Sequence, residues 1–270
     1  LPQLGHGVLV VPVGTLIQRL PPRHYVDAHS LLLAVGDRLD LDRTRERLIH
    51  AGYQCVSQVI AHGEFAVRGA LMDIFPMGSA EPLRIDLFDD EIESIRTFDP
   101  DSQRSLDKVQ QVRLLPAREF PFTEEAISGF RRRWRATIES DPKASIIYRE
   151  VSEGRMPGGL EYYLPLFFDD TATLFDYLPA STLAFERADA REAAESTFTA
   201  IEARYEQRRH DIERPLLAPR SLYQAPDELA GRLNAMTGVC WQSPEIPARR
   251  KGYAKVENFA TATVPSLAIQ

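Results

Sequence analysis

The sequence predicts an α/β chain, in which a platform built on a parallel sheet is interrupted by a small α+β insertion domain with antiparallel strands. Three observations carry that prediction. Gly7–Val13 (GVLVVPV) is a short continuous apolar run, the pattern of a strand covered on both faces of a parallel sheet. Gly63–Phe98 breaks instead into short alternating runs separated by turn residues, as half-buried antiparallel strands do. Past Pro116 the apolar residues change to helical spacing. The boundaries that follow are 1–29 for the first part of the platform, 30–116 for the insertion, 117–242 for the rest of the platform, and 243–270 for a linker and the start of another domain.

Within the first part, Gly14-Thr15 caps a short helix expected over Leu16–Leu20, which Pro21-Pro22 ends. In the insertion Leu31–Val35 is strand-like and Gly36-Asp37 turns the chain. Asp40 or Asp42 is a suitable N-cap for a helix over Leu41–His50, with Gly52 where a C-terminal glycine belongs. Tyr53–Ala61 leads into three strands: Phe65–Phe75, ended by Pro76-Met77-Gly78-Ser79, then Leu83–Phe88, and Ile92–Phe98 after the polar break Asp89-Asp90-Glu91. Asp99-Pro100-Asp101 has turn chemistry, and Val112–Leu115 is the last strand of the unit.

Thr123 then caps a helix with Glu124 and Glu125 in its first turn, and Ile127, Phe130, Trp134 and Ile138 recur as its buried stripe. Ala144–Ser152 is helical, and Pro157-Gly158-Gly159 leads into Leu160–Phe168. Leu174–Leu178 reads as a loop into a buried strand at Thr182–Phe185. Ala188–Arg208 is the longest helix, with Ala193, Phe198, Ile201, Ala203 and Tyr205 as apolar positions and Pro215 as its stop. A short helix over Leu222–Leu233 and a strand over Val239–Gln242 precede an exposed linker with Pro244, Pro247 and the basic run 248–251. Val256–Ile269 reads as the first strand of a following domain.

Composition narrows the function classes. Charged residues at 26% and hydrophobic ones at 44% are ordinary for a soluble globular protein, and a net charge of -7 argues against the whole chain being an electrostatic nucleic-acid binder. Cys55 and Cys240 lie far apart without CxxC spacing and the histidines are scattered, so reduced thiols in a cytoplasmic protein are expected, with no metal site and no cofactor. No apolar run approaches the ~18–20 residues that a membrane span needs, so no membrane partner is expected.

Strand parity supplies the candidate site. On the middle strand Leu83, Ile85 and Leu87 share one face and Arg84, Asp86 and Phe88 the other. An aromatic beside arginine has the composition of a binding hot spot, while pairing of Arg84 with Asp86 under a covering loop is the alternative. Arg68 is followed by Gly69, whose missing side chain allows another backbone to approach. On this reading Arg84→Ala and Phe88→Ala change stability by about 0.5 kcal/mol or less, as surface changes do.

The stretch GEFAVRGALMDIFP, with RIDLFDDEIESIRTFDPDSQ after it, resembles the central segment of the UvrB-homology module shared by the excision-repair protein UvrB and the transcription-repair coupling factors. GVLVVPVGTLIQRLPP upstream and SQRSLDKVQQVRLLPAREFP downstream are similar to the coupling-factor branch, and the resemblance runs from about Gly7 to Leu217. It implies that the insertion recruits UvrA through Arg68, Arg84 and Phe88, with Asp86 as a same-face neighbour. It also implies that the chain is the N-terminal part of a longer protein, with a piece before it and helicase motors after it, and that the platform is a degenerate helicase-like (RecA-like) fold. In the parent, a C-terminal domain is expected to mask the surface, and later domains to engage RNA polymerase and DNA.

The same comparison bears on catalysis. No Gly-x-x-x-x-Gly-Lys-Ser/Thr occurs, so nothing in the sequence cradles a nucleotide's phosphates. Asp176-Tyr177-Leu178-Pro179 matches the turn that precedes the Mg²⁺-binding acidic pair of active UvrB, but the positions matching that pair are Arg187 and Ala188. A cation and a methyl group cannot hold Mg²⁺, and GxSxG is absent as well, so no enzymatic activity is expected of this chain. The rival readings are an active UvrB-type damage-binding ATPase and a DNA-binding module centred on Arg131, Arg132, Arg133 and Arg135.

Overall fold

The computed structural model describes residues 7–241. The segment 7–12 forms no strand, and Val8 and Val10 are exposed. An apolar run expected in a parallel sheet takes strand form only beside a partner that completes its hydrogen-bond ladder, and none of the described strands pairs with it. The first elements are the one-turn helix α1 (Val13–Leu16), three residues earlier than expected, and α2 (Arg23–His29), which follows Pro22 and was not anticipated. Pro21-Pro22 therefore separates two helices rather than ending one.

The insertion is organised by alternation. It contains β1 (Leu31–Ala34), α3 (Leu41–His50), β2 (Gln54–Cys55), β3 (Glu64–Arg68), β4 (Leu71–Ile74), β5 (Leu83–Phe88), β6 (Glu91–Phe98), β7 (Ser105–Val109) and β8 (Gln111–Leu114). Asp40 caps α3 by accepting from the Arg43 amide at 3.0 Å, and Gly52 follows at φ 98°, the left-handed conformation that ends a helix. The expected strand 65–75 is a hairpin instead. Gly69 turns it at φ 61°, and an added Cβ there would meet nothing within 4 Å, so the glycine serves the turn and not a close approach. This extra reversal, together with the unanticipated β7, gives a six-stranded sheet in the order β2-β3-β4-β5-β6-β7, antiparallel except between β2 and β3. β1 and β8 form a separate antiparallel pair.

One face of the large sheet packs on α3 and the β1–β8 pair. Phe65, Met72, Ile74, Leu83, Ile85, Leu87, Ile92 and Ile95 all bury there with Leu48 of α3. The parity expected for Leu83, Ile85 and Leu87 is therefore observed. Among the described residues the opposite face is covered at one end, where Val59 closes over Ala66, Phe75 and Phe98.

After the insertion come α4 (Glu124–Thr137), α5 (Ile146–Ser152), a 3₁₀ segment (Leu160–Phe167), α6 (Leu174–Tyr177), β9 (Ala184–Arg187), α7 (Ala190–Arg208), α8 (Pro219–Leu222), α9 (Pro226–Ala235) and β10 (Gly238–Trp241). Thr123 caps α4 as expected, and its stripe Ile127, Phe130, Trp134 and Ile138 buries against α5 and the 3₁₀ segment. β9 pairs in parallel with β10. It is not the buried strand expected near residues 182–185, since Phe185 is open to solvent. Within α7 the buried positions are Ala194 and Phe198, so of the five apolar positions expected only Phe198 is fully buried. The segment expected to be linker and further strand, 243–270, lies outside the described residues. Among the described residues no helix is long and apolar enough to cross a membrane.

Candidate interaction surface

The turn between β5 and β6 places Phe88. Asp89 takes φ 59°, a conformation Asp tolerates in tight turns, and the turn is latched to the loop before α3. The Leu39 amide donates to Asp90 O at 2.7 Å, and Gly36 and Asp37 exchange backbone hydrogen bonds with Ile92 at 2.9 Å each. Phe88 stands on this anchored tip with 76% of its surface exposed.

Arg84, two rows back on the same face, is held. Its Nε donates to Asp73 Oδ1 at 2.8 Å and its Nη2 to Oδ2 at 3.0 Å, across the β4–β5 register that sets the two residues opposite each other. Nη1 donates to Gln103 O at 3.1 Å, and the guanidinium lies 4.9 Å from the Phe98 ring centroid. The bonds to Asp73 push the Arg84 pKa up. Asp73 is fully buried, so this pair is a structural element of the sheet face. Pairing of Arg84 with Asp86, the alternative open from parity alone, is not what forms; Asp86 accepts from Ser94 Oγ at 2.9 Å.

Arg68 ends β3 with its Nη2 donating to Ser57 O. It shares a row with Leu71, Asp86 and Ser94, and β4 lies between it and β5, so it is two strands from Arg84 and not on the adjacent one. The structure thus brings Arg68, Arg84, Asp86 and Phe88 to one sheet face, with Arg84 recessed and Phe88 foremost. Parity missed Asp73, although a lone acid within the apolar run LMDIF was a signal for a buried ion pair.

The other candidates have local roles. Arg187 pairs with Asp189 at 2.7 Å, and Glu186, next to the position matched to the acidic pair, accepts two bonds from Arg191. Asp176 closes a capping box with Thr173 and pairs with Arg232 at 3.1 Å. Of the arginine run, Arg133 binds Leu166 O and Asp169, Arg135 lies over the Tyr148 ring, and Arg131, Arg132 and Arg135 line a shallow depression on α4. Among the described residues no three His, Cys, Asp or Glu side chains gather as metal ligands, and Cys55 and Cys240 form no disulfide.

This architecture defines the class: residues 31–120 match the family described as the UvrB interaction domain. The chain is 44% identical over 267 residues to the transcription-repair-coupling factor of Haemophilus influenzae and 45% identical over 271 residues to that of Escherichia coli K12, matches that take in 98% and 100% of its length. A Bacillus subtilis protein of the same name is 32% identical over 65% of the chain. The chain belongs to the transcription-repair-coupling factor family, and it spans 23% of the length of the first two relatives.

Proposed function

We propose that the chain is the non-catalytic, UvrA-recruiting module of a transcription-repair coupling factor, acting in transcription-coupled nucleotide excision repair. The insertion presents Phe88 and Arg68 to UvrA, with Arg84 and Asp86 shaping the surface between them. The observation that carries this is Phe88 itself: a large aromatic held out at a latched turn, among charged and polar neighbours, on a sheet whose other face is fully packed. Unpaired aromatics beside arginine are the residues that dominate binding free energy. The segments on either side serve as a helicase-like platform that has lost its nucleotide chemistry, since Arg187 and Ala188 stand where magnesium ligands would be needed.

In the parent protein this module would act beside an ATP-driven translocase that displaces stalled RNA polymerase, with the surface masked by a C-terminal domain until the motor engages. The test is calorimetric titration of this chain with UvrA. Direct binding without nucleotide is expected, together with no change in the melting midpoint on adding Mg-ATP, because a ligand that binds only the native state raises it. Absence of UvrA binding, or a clear rise with Mg-ATP, overturns the reading.

A further inference from the structure

We infer that Arg96 and Lys108 form an anion-accepting subsite beside the matched contact positions, and that it takes a carboxylate side chain of the partner. The inference rests on the docking reading above and deepens it. Across three neighbouring strands the register sets Arg84, Arg96 and Lys108 directly opposite one another. Like charges so placed destabilise a sheet. Asp73 neutralises the first. Nothing neutralises the other two: among the described residues neither side chain makes a hydrogen bond or ion pair, and Arg96 Nε lies out of water without an acceptor.

A buried donor without an acceptor leaves its desolvation cost unreturned, and a carboxylate is the group whose two oxygens fit a guanidinium fork. Lys108 is exposed, on β7 at the edge of the sheet. The two cations line one depression together with Asp86, Ser94, Glu93 and Leu71. Its far side carries acceptors: Asp86 on the next row, ~7 Å along the strands, and Glu93, the extra residue at the register shift between Asp86 and Leu87. The guest is therefore oriented. Its carboxylate lies over Arg96 and Lys108, and a hydrogen-bond donor two residues on lies toward Asp86. The same two acids disfavour a continuous phosphate backbone, so the anion is assigned to a protein side chain.

The experiment titrates UvrA into wild-type chain, Phe88→Ala, Arg96→Gln, Lys108→Gln, the double variant and Arg96→Lys, at low and high salt, with a melting curve for each. Each single glutamine variant is expected to bind about tenfold more weakly at low salt, the double variant about a hundredfold, with a flatter salt dependence. Arg96→Lys keeps the charge and recovers part of the affinity, and the melting midpoints of the glutamine variants stay at or above wild type because a like-charge contact is relieved. If wild type binds and Phe88→Ala weakens it while the Arg96 and Lys108 variants bind as wild type, the subsite is wrong and the docking reading survives. If wild type does not bind UvrA, or Phe88→Ala binds unchanged, the docking reading itself fails and the subsite with it. Duplex DNA titrated into the chain alone is expected to show no binding that the double variant removes; such binding would make the anion a nucleic acid and overturn the assignment.

Discussion

Phe88 and Phe185 are equally exposed, at 76% and 75%, and they mean different things. Phe88 is the one exposed aromatic among the described residues of a six-stranded sheet, on a strand, β5, that has a neighbouring strand on each side. Its neighbours on that face are Asp86, Arg84 and Arg68. Phe185 lies on a two-stranded parallel pair opposite Val239, in a strip that also carries the exposed Leu183 and Trp241. Parallel strands are characteristically covered on both faces, so a contiguous apolar strip on them is a packing surface. An isolated aromatic ringed by charge on a completed sheet is a recognition surface. Exposure alone does not separate the two; the ladder and the neighbours do.

The sharpest way to break the comparison is to attack what holds the Phe88 face flat. Asp73→Ala leaves the half-buried Arg84 without its carboxylate, and breaking such a pair costs about 3–5 kcal/mol. Ile85→Ala, on the packed face, costs ~2–5 kcal/mol. Urea unfolding reads both as a lower midpoint at unchanged slope. Arg84→Ala belongs with these, because it strands a fully buried Asp73; the surface-like value expected from parity is corrected by that contact. If Asp73→Ala unfolds at the wild-type midpoint, the pair does not hold the face and Arg84 returns to the list of free contacts.

That correction marks the limit of what the sequence makes legible. Alternation sorted Leu83, Ile85 and Leu87 from Arg84, Asp86 and Phe88 without error, because the two-residue period of a strand is fixed by backbone geometry. The caps at Asp40 and Thr123 were readable for the same reason: their hydrogen bonds are local. Cross-strand partners are not local. Arg84 meets Asp73 through the β4–β5 register, and the turn residues 76–79 mark a reversal without fixing which residues end up opposite. The further reversal at Gly69, hidden inside an apolar run, has no marker beyond one glycine. β7 escaped for a related reason, since its residues are exposed and carry no apolar alternation.

Next in size is the loss of binding. On the proposed reading Phe88→Ala weakens UvrA by about 2 kcal/mol, roughly thirtyfold, while shifting stability by about 0.5 kcal/mol or less. A variant that unfolds instead would put Phe88 in the core and remove the contrast with Ile85.

A smaller effect belongs to the region that carries Phe185. Burial pushes the Tyr25, Tyr163 and Tyr177 hydroxyls up to about 12, and each donates to a carbonyl, Tyr163 to Pro215 O at 2.9 Å. A phenol whose folded pKa exceeds its unfolded value of about 10 contributes stability that is complete below that value and is lost as pH rises toward 12. Melting midpoints are therefore expected to hold to about pH 10 and fall beyond it, in step with tyrosinate absorbance. Tyr163→Phe costs about 1 kcal/mol at neutral pH and removes its share of the alkaline fall. An unchanged alkaline limb in that variant would show that Tyr163 does not ionise on unfolding.

The smallest expected effect tests the comparison directly. Phe185→Ala truncates a ring as exposed as that of Phe88, on a strand that pairs with β10 among the described strands. If position on a completed, charged sheet face is what makes an aromatic a contact, this variant binds UvrA as wild type does. Its stability should change by about 0.5 kcal/mol or less, the usual range for an exposed side chain. The same titration that weakens with Phe88→Ala should overlay wild type with Phe185→Ala, at matched salt and with both variants shown to be folded. A drop in affinity comparable to that of Phe88→Ala would place UvrA on the β9–β10 strip as well, and the argument from ladder and neighbours would no longer distinguish the two surfaces.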